Sequence, residues 1–337
     1  MSIGPRTMRF AALVIAGLLG LAHSASAQTT CGGRNVLDEL AGTAPELHRR
    51  VTREADATAN ASHVLWRIER AGLAPSHLLG TIHLTAARVA VLSQHVQTAL
   101  AAAGTVALEV ADMSEGATAA AMASAGNLVA FTDGRRLDSM LSAEELAAAE
   151  QTLVEAGVPA VAAPLFRPWV VTMMLSVSEC ERRKVQAGQP VLDARIAETA
   201  RTAGKRIVGL ETIESQLAAM ASVPHDQQLA MLKASLKYAD RIDDNMETLL
   251  QLYLDRRLGA VWPLQIALAE RVGIGREAFE GFKRLLVTDR NRRMADTARP
   301  LIDAGAAFIA GGALHLPGEH GLGSLLRAQG FTLTPIK

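Results

Sequence analysis

The sequence predicts an α/β fold: a central, mostly parallel sheet with an N-terminal hairpin, flanking helices and a helical cap inserted in the middle. Three features carry that expectation. Short apolar runs alternate with longer segments of helical period. Two of the runs end in a matching phrase, Gly80-Thr81-Ile82-His83 and Gly312-Ala313-Leu314-His315. Two others end in a carboxylate, Glu109 and Glu211. Open α/β sheets gather their sites from polar residues at strand carboxyl ends, and glycine there lets another backbone or a ligand approach closely.

The elements follow in order. Residues 63–68 and 77–82 read as strands joined through Gly72 and Pro75, a hairpin at a sheet edge. A helix over 93–103, with Val96, Leu100 and Ala103 on one face, leads into a strand at 105–110. From about 113 to 203 the chain is Ala-rich and helical, and this is the cap. Within it Ser142 and Glu145 fit a capping box, Gly157-Val158-Pro159 closes that helix, an apolar helix runs over 166–178, and Asp193 is placed as N-cap of a helix ending at Gly204. A buried strand at 206–210 is followed by helices over 213–221 and 226–257. Asp289 is expected to cap a helix to 302, its last turn bent by Pro300. A strand at 306–312, a helix near 323–328 and a strand at 331–335 complete the chain.

At the amino terminus, Arg6 and Arg9 precede an apolar stretch at 10–22, and Ala25-Ser26-Ala27 is a small-residue cleavage site. Residues 1–27 therefore read as an export signal, and 28–337 as a single mature domain, periplasmic or secreted. The stretch is shorter than the roughly 20 residues a bilayer requires, so no stable membrane anchor is expected. Losing the leader removes two arginines from 34 basic residues balanced by 34 acidic ones, leaving a formal charge of −2. That balance argues against nucleic acid or an anionic membrane as partner. The two cysteines, Cys31 and Cys180, would meet an oxidising compartment, which favours a disulfide between them over two free thiols.

Two imidazoles and two carboxylates at strand ends make a plausible N/O donor set for one divalent metal. Each residue also has a plainer reading. A lone histidine after a strand is usually a hydrogen-bonded structural residue; Glu109 could cap the next segment, Glu211 could pair with Lys205 or Arg206, and Arg290 and Asn291 could be solvated. Other catalytic patterns are absent: there is no His-Glu-x-x-His, no Gly-x-Ser-x-Gly and no CxxC.

The phrases at 78–83, 209–212, 289–295 and 312–318, with Gly321-Leu322 after them, together resemble the TraB/GumN family, which is related to the Tiki metalloproteases. The likeness runs from about residue 63 to 335. It implies a fold similar to that of haem-binding ChaN-like and erythromycin-esterase-like proteins, and, for the Tiki branch, metal-dependent peptide cleavage. The matching positions here are His83, Glu109, Glu211, Arg290, Asn291 and His315. The expectation is one divalent metal (Zn, Mn, Fe or Co) on His83, Glu109 and His315, with Glu211 as general base, the exchange of roles between the two glutamates being the open alternative. Arg290 and Asn291, at a helix start, would stabilise an oxyanion. The substrate would be a peptide or protein. The alternative is a haem- or metal-binding module that breaks no bond. Val191 stands where a glycine often precedes the Leu-Asp pair of the family, which departs from a tight turn there.

Overall fold

The computed structural model describes residues 31–112 and 114–337; the predicted leader and its cleavage site lie outside the described residues. Six strands, β1 (Leu65–Glu69), β2 (Ser76–Thr81), β3 (Thr105–Val110), β4 (Arg206–Glu211), β5 (Ala307–Gly312) and β6 (Thr332–Ile336), form one sheet in the order β4-β3-β5-β2-β1-β6. Strand β5 takes the middle because Ala-Phe-Ile-Ala-Gly-Gly carries no side chain that needs water on either face, and its first five residues are buried. Strands β4, β3, β5 and β2 run parallel, while β1 is antiparallel to both β2 and β6. The expected α/β class is observed.

Parallel register brings four carboxyl ends to one edge of the sheet. Thr81 pairs with Gly312, Leu108 with Ala310, and Val110 with Glu211. The residues that follow β2 and β5, and those that end β3 and β4, therefore share one rim. The helices flanking the sheet bury a core that includes Ile68, Leu78, Leu79, Leu100, Ile196 and Phe308.

Between β3 and β4 the chain is helical, as expected of the cap. Helices Ala143–Glu155 and Pro168–Leu175 pack against His225–Lys237 through Leu137, Ala149, Val171, Leu175 and Leu232. The Ser142/Glu145 capping box is formed. At the amino-terminal side, helices Val36–Thr43 and Pro45–Asp56 pack on Ile242–Leu254 and Val261–Glu270 through Leu37, Leu40, Val51, Leu252 and Leu264. Cys31 and Cys180 form a disulfide with their Cα atoms 5.6 Å apart, tying this region to helix Glu179–Gln186.

Several local expectations are corrected. The β1–β2 hairpin is not at the edge, because β6 pairs along β1 and covers it. Strand β4 is one of the two edge strands and only partly buried, so its apolar residues signalled one covered face and not two. The helix expected over 226–257 breaks at a single 3-10 turn, Ala239–Arg241, where the Tyr238 hydroxyl turns to donate to the Leu268 carbonyl at 2.9 Å. Asp193 does not cap its helix; Val191 is the N-cap of Leu192–Thr202. Nor does Asp289 begin a helix. Helix Arg276–Lys283 runs through a π-helical turn, Arg284–Thr288, directly into Asp289–Asp303, so the amides that a cap would serve are already bonded within the helix.

Candidate functional site

The two glycines of the repeated phrases have different jobs. A Cβ on Gly80 would sit 2.5 Å from Leu316 Cδ1 and 3.0 Å from Ala313 Cα, so glycine there lets the 3-10 turn Ala313–His315 settle on β2. A Cβ on Gly312 would sit 3.1 Å from Glu109 Oε1, 3.5 Å from His315 Cδ2 and 3.8 Å from His83 Nε2. Three side chains from three segments thus face one point, and glycine keeps that point clear.

Each imidazole is oriented from behind. Asp193 Oδ2 accepts from His83 Nδ1 at 2.8 Å, while its Oδ1 accepts from the Thr81 hydroxyl at 2.6 Å. Asn291 Oδ1 accepts from His315 Nδ1 at 2.5 Å, and Asn291 Nδ2 donates to the His320 carbonyl at 2.8 Å. With Nδ1 so engaged, Nε2 of each ring is the atom left for chemistry. Metal-binding histidines use this arrangement to fix the tautomer and the ring plane. His315 Nε2 lies 3.6 Å from Glu109 Oε1.

The carboxylates are held by one guanidinium. Arg290 Nη2 donates to Glu109 Oε2 at 2.8 Å and to Glu211 Oε2 at 2.7 Å, and its Nε donates to the latter at 2.9 Å. Glu109 also accepts from the Gly312 amide through Oε1 and from Gln216 Nε2 at 3.3 Å through Oε2. Glu211 is more deeply set, with 2 % of its side chain exposed, and its Oε1 is buried without a hydrogen-bond partner among the described residues. Arg293 Nη2 lies 3.6 Å from that oxygen.

These contacts set the charges. Crowding by surrounding protein atoms opposes charge on His83, although its ring stays partly open to solvent, but the hydrogen bond and charge of Asp193, aided by Glu109, outweigh it and push its pKa up to about 9. Burial drives His315 down to about 4, with Arg290 and His83 adding to the effect against Glu109, so its ring is neutral near pH 7. Burial likewise resists ionisation of Glu109, yet the charges of His315 when protonated, Arg290 and His83, with the Gly312 amide, hold its carboxyl at about 2.

Two imidazole nitrogens and a carboxylate oxygen are the donor types that zinc, manganese or iron select. Among the described residues no group of three or more His, Cys, Asp or Glu is already spaced as a formed metal site. The donors fit in kind: the 3.6 Å between His315 Nε2 and Glu109 Oε1 is slightly wider than the roughly 3.3 Å edge of a tetrahedron with ~2.0 Å bonds. Meanwhile the Gly312 amide and Arg290 hold Glu109 beside His315.

Residues 64–335 match the model of the TraB/PrgY/gumN family. The chain belongs to that family. No curated protein and no solved structure matches it.

All six residues singled out in this TraB/PrgY/gumN chain lie on the one rim; direct contacts join Glu109, Glu211, Arg290, Asn291 and His315, while His83 faces the same point at Gly312 and is held by Asp193. The structure does not place Arg290 and Asn291 at a helix start, where they were expected to act with free amides, because the helix continues through them. Both polar ends of the Asn291 side chain are taken up by His315 and His320. Glu211 pairs with Arg290; Lys205 instead donates to the carbonyls of Ala101 and Ala103. Asp193, Thr81 and Gln216 escaped the sequence reading. Asp193 did carry a signal: it stands at i of a stripe continued by Ile196, Ala197 and Ala200, all buried, so its carboxylate had to face inward.

Proposed function

We propose that this rim is the centre of an exported metal-dependent hydrolase acting on amide bonds in peptides or proteins. The observation that carries the proposal is the convergence of His83 Nε2, His315 and Glu109 Oε1 on the open position at Gly312, each side chain held from a second side. His83, His315 and Glu109 would hold one divalent ion (Zn, Mn, Fe or Co). When bound, such an ion polarises a carbonyl and lowers the pKa of water toward neutrality.

The chain's own groups then have assigned tasks. Asp193 and Asn291 keep the two rings aimed. Glu211 Oε1, buried and unpartnered, takes a proton from the attacking water as oxygen adds to the amide carbon. The same carboxyl returns that proton to the departing amine as the C–N bond breaks, so the net reaction is amide plus water to acid plus amine. Arg290 lies between the two glutamates and can accompany negative charge that develops on the substrate oxygen. Export is supported by the Cys31–Cys180 disulfide, which belongs to an oxidising compartment.

Elemental analysis of residues 28–337 after dialysis against mixed divalent ions, beside His83→Ala/His315→Ala, tests the reading. Near-stoichiometric metal is expected in the first and none in the second. Glu211→Gln should keep the metal and lose peptide cleavage. Retained cleavage in Glu211→Gln would reject it as the proton carrier. A Soret band on haem addition, without cleavage by any form, would replace catalysis with binding.

A further inference from the structure

The end of helix Ile242–Leu254 departs from the rule the rest of the chain follows. Among the described residues, five other helices finish with a residue in the left-handed region followed by an amide that bonds back five residues. In every one the left-handed residue is glycine: Gly157, Gly188, Gly204, Gly273 and Gly330, with φ from +64° to +88°. Helix Ile242–Leu254 ends in the same motif, with the Arg257 amide bonding to the Leu252 carbonyl at 2.8 Å, but its left-handed residue is Arg256, at φ +60°. A long side chain at such a position strains the backbone, and glycine would remove the strain. The sequence keeps an arginine where relief is simplest.

Its guanidinium explains what is kept. Arg256 Nη1 is buried and has no hydrogen-bond partner among the described residues. It lines a cavity of about 130 Å³ whose walls also include Arg88 and Lys337 and contain no acidic side chain. Arg88 is already paired with Glu247; no ion pair holds Arg256 or Lys337 among the described residues. The field of Arg256 and Lys337 extends to His63, whose pKa is lowered by burial and then by these two cations. The floor of the cavity is apolar, built from Leu65, Leu79, Val89, Val96 and Leu192, all buried. A buried guanidinium edge without an acceptor is costly to leave so, and a cationic mouth over an apolar floor selects a particular chemistry.

We propose that this cavity binds a small organic anion with an apolar body, its carboxylate or phosphate head on Arg256 and its body on the Leu65–Leu79 floor. The volume suits a body of about one ring or a short aliphatic chain, since an engineered apolar cavity of roughly 150 Å³ holds benzene. The site is separate from the metal-binding rim. Its wall includes Tyr253, whose hydroxyl donates to the Gly80 carbonyl at 2.9 Å, so the two lie on neighbouring parts of β2. The inference does not depend on the hydrolase reading.

Isothermal titration of residues 28–337 with hexanoate, phenyl phosphate, acetate and hexanol tests it. Saturable binding is expected for hexanoate or phenyl phosphate, the tighter of the two naming the head group, with acetate and hexanol at least tenfold weaker. Arg256→Gly should weaken the preferred anion at least tenfold while raising Tm in plain buffer by ~2 °C as the strain is released. His83→Ala/His315→Ala should bind it as the wild type does. Equal binding of hexanol and hexanoate, no saturation by either anion at 10-millimolar order, or unchanged binding in Arg256→Gly would each overturn the proposal. A Tm unchanged or lowered in Arg256→Gly would overturn the strain argument beneath it.

Discussion

Replacing Asp193 by Asn isolates the contribution of one contact to the site. The perturbation removes the charge that His83 leans on while leaving a side chain of the same shape beside Thr81. In the wild type, crowding by surrounding protein atoms works against the imidazolium, but Asp193, aided by Glu109, lifts the His83 pKa from 6.5 to about 9. Taken at full strength that displacement is worth about 3.4 kcal/mol. However, 57 % of the His83 side chain is open to solvent, and screening cuts the contribution to roughly 1 kcal/mol. A raised pKa stabilises the folded state fully below about 6.5 and loses that stabilisation as pH climbs through about 9. Asp193→Asn should therefore be less stable than the wild type by ~1 kcal/mol at pH 6, and the gap should close toward pH 9. The assays are urea unfolding across that range and NMR titration of the His83 ring in chelated protein, where the variant should titrate below about 7. A variant His83 that titrates within half a unit of the wild type, or a stability gap that widens with pH, would refute the reasoning.

Arg290→Met leaves Glu109 and Glu211 buried without their shared counter-charge, a loss of about 3–5 kcal/mol at pH 8 by denaturant unfolding. Because Glu109 is held at about 2, its stabilisation is present above the ordinary carboxyl range and lost as pH falls toward 2, so this deficit should shrink at pH 4. Gly312→Ala puts a methyl group 3.1 Å from Glu109 Oε1 and should weaken divalent-ion binding at least tenfold in a chain that remains folded by circular dichroism. Reducing the Cys31–Cys180 bond, which spans 149 residues, should lower stability by about 3–5 kcal/mol, read as a shift in the urea midpoint with and without dithiothreitol.

Much of this arrangement was legible in the residues because strands announce their ends. Glu109 and Glu211 terminate apolar runs, and His83 and His315 follow glycines that the packing requires, so periodicity alone brought four of the six to one rim. Helix starts were less legible. Asp193 and Asp289 both have the chemistry of caps; the apolar stripe of Ile196, Ala197 and Ala200 marks the first as facing inward but not its imidazole partner, and nothing in the residues marks the second as continuing a helix through a π turn. The pairing of β6 with β1 was also hidden, since an alternating five-residue strand fits any open edge and only the whole sheet decides which. The partner of Glu211 was out of reach for a related reason: Arg290 arrives from 79 residues away, and its direction depends on the rotation that the π turn gives its helix.

The central place of β5 bears on how the chain comes together. Before residues 307–312 exist, a polypeptide made from its amino terminus holds two separate half-sheets, β1 with β2 and β3 with β4, and each presents an edge meant for the same late strand. That strand closes the gap and carries His315 three residues beyond it, so structural closure and assembly of the site are a single event. A chain cut short after β4 and before β5 is thus not a weaker protein but two sticky fragments joined by helices. Quality control would then recognise exposed strand edges and not a missing activity.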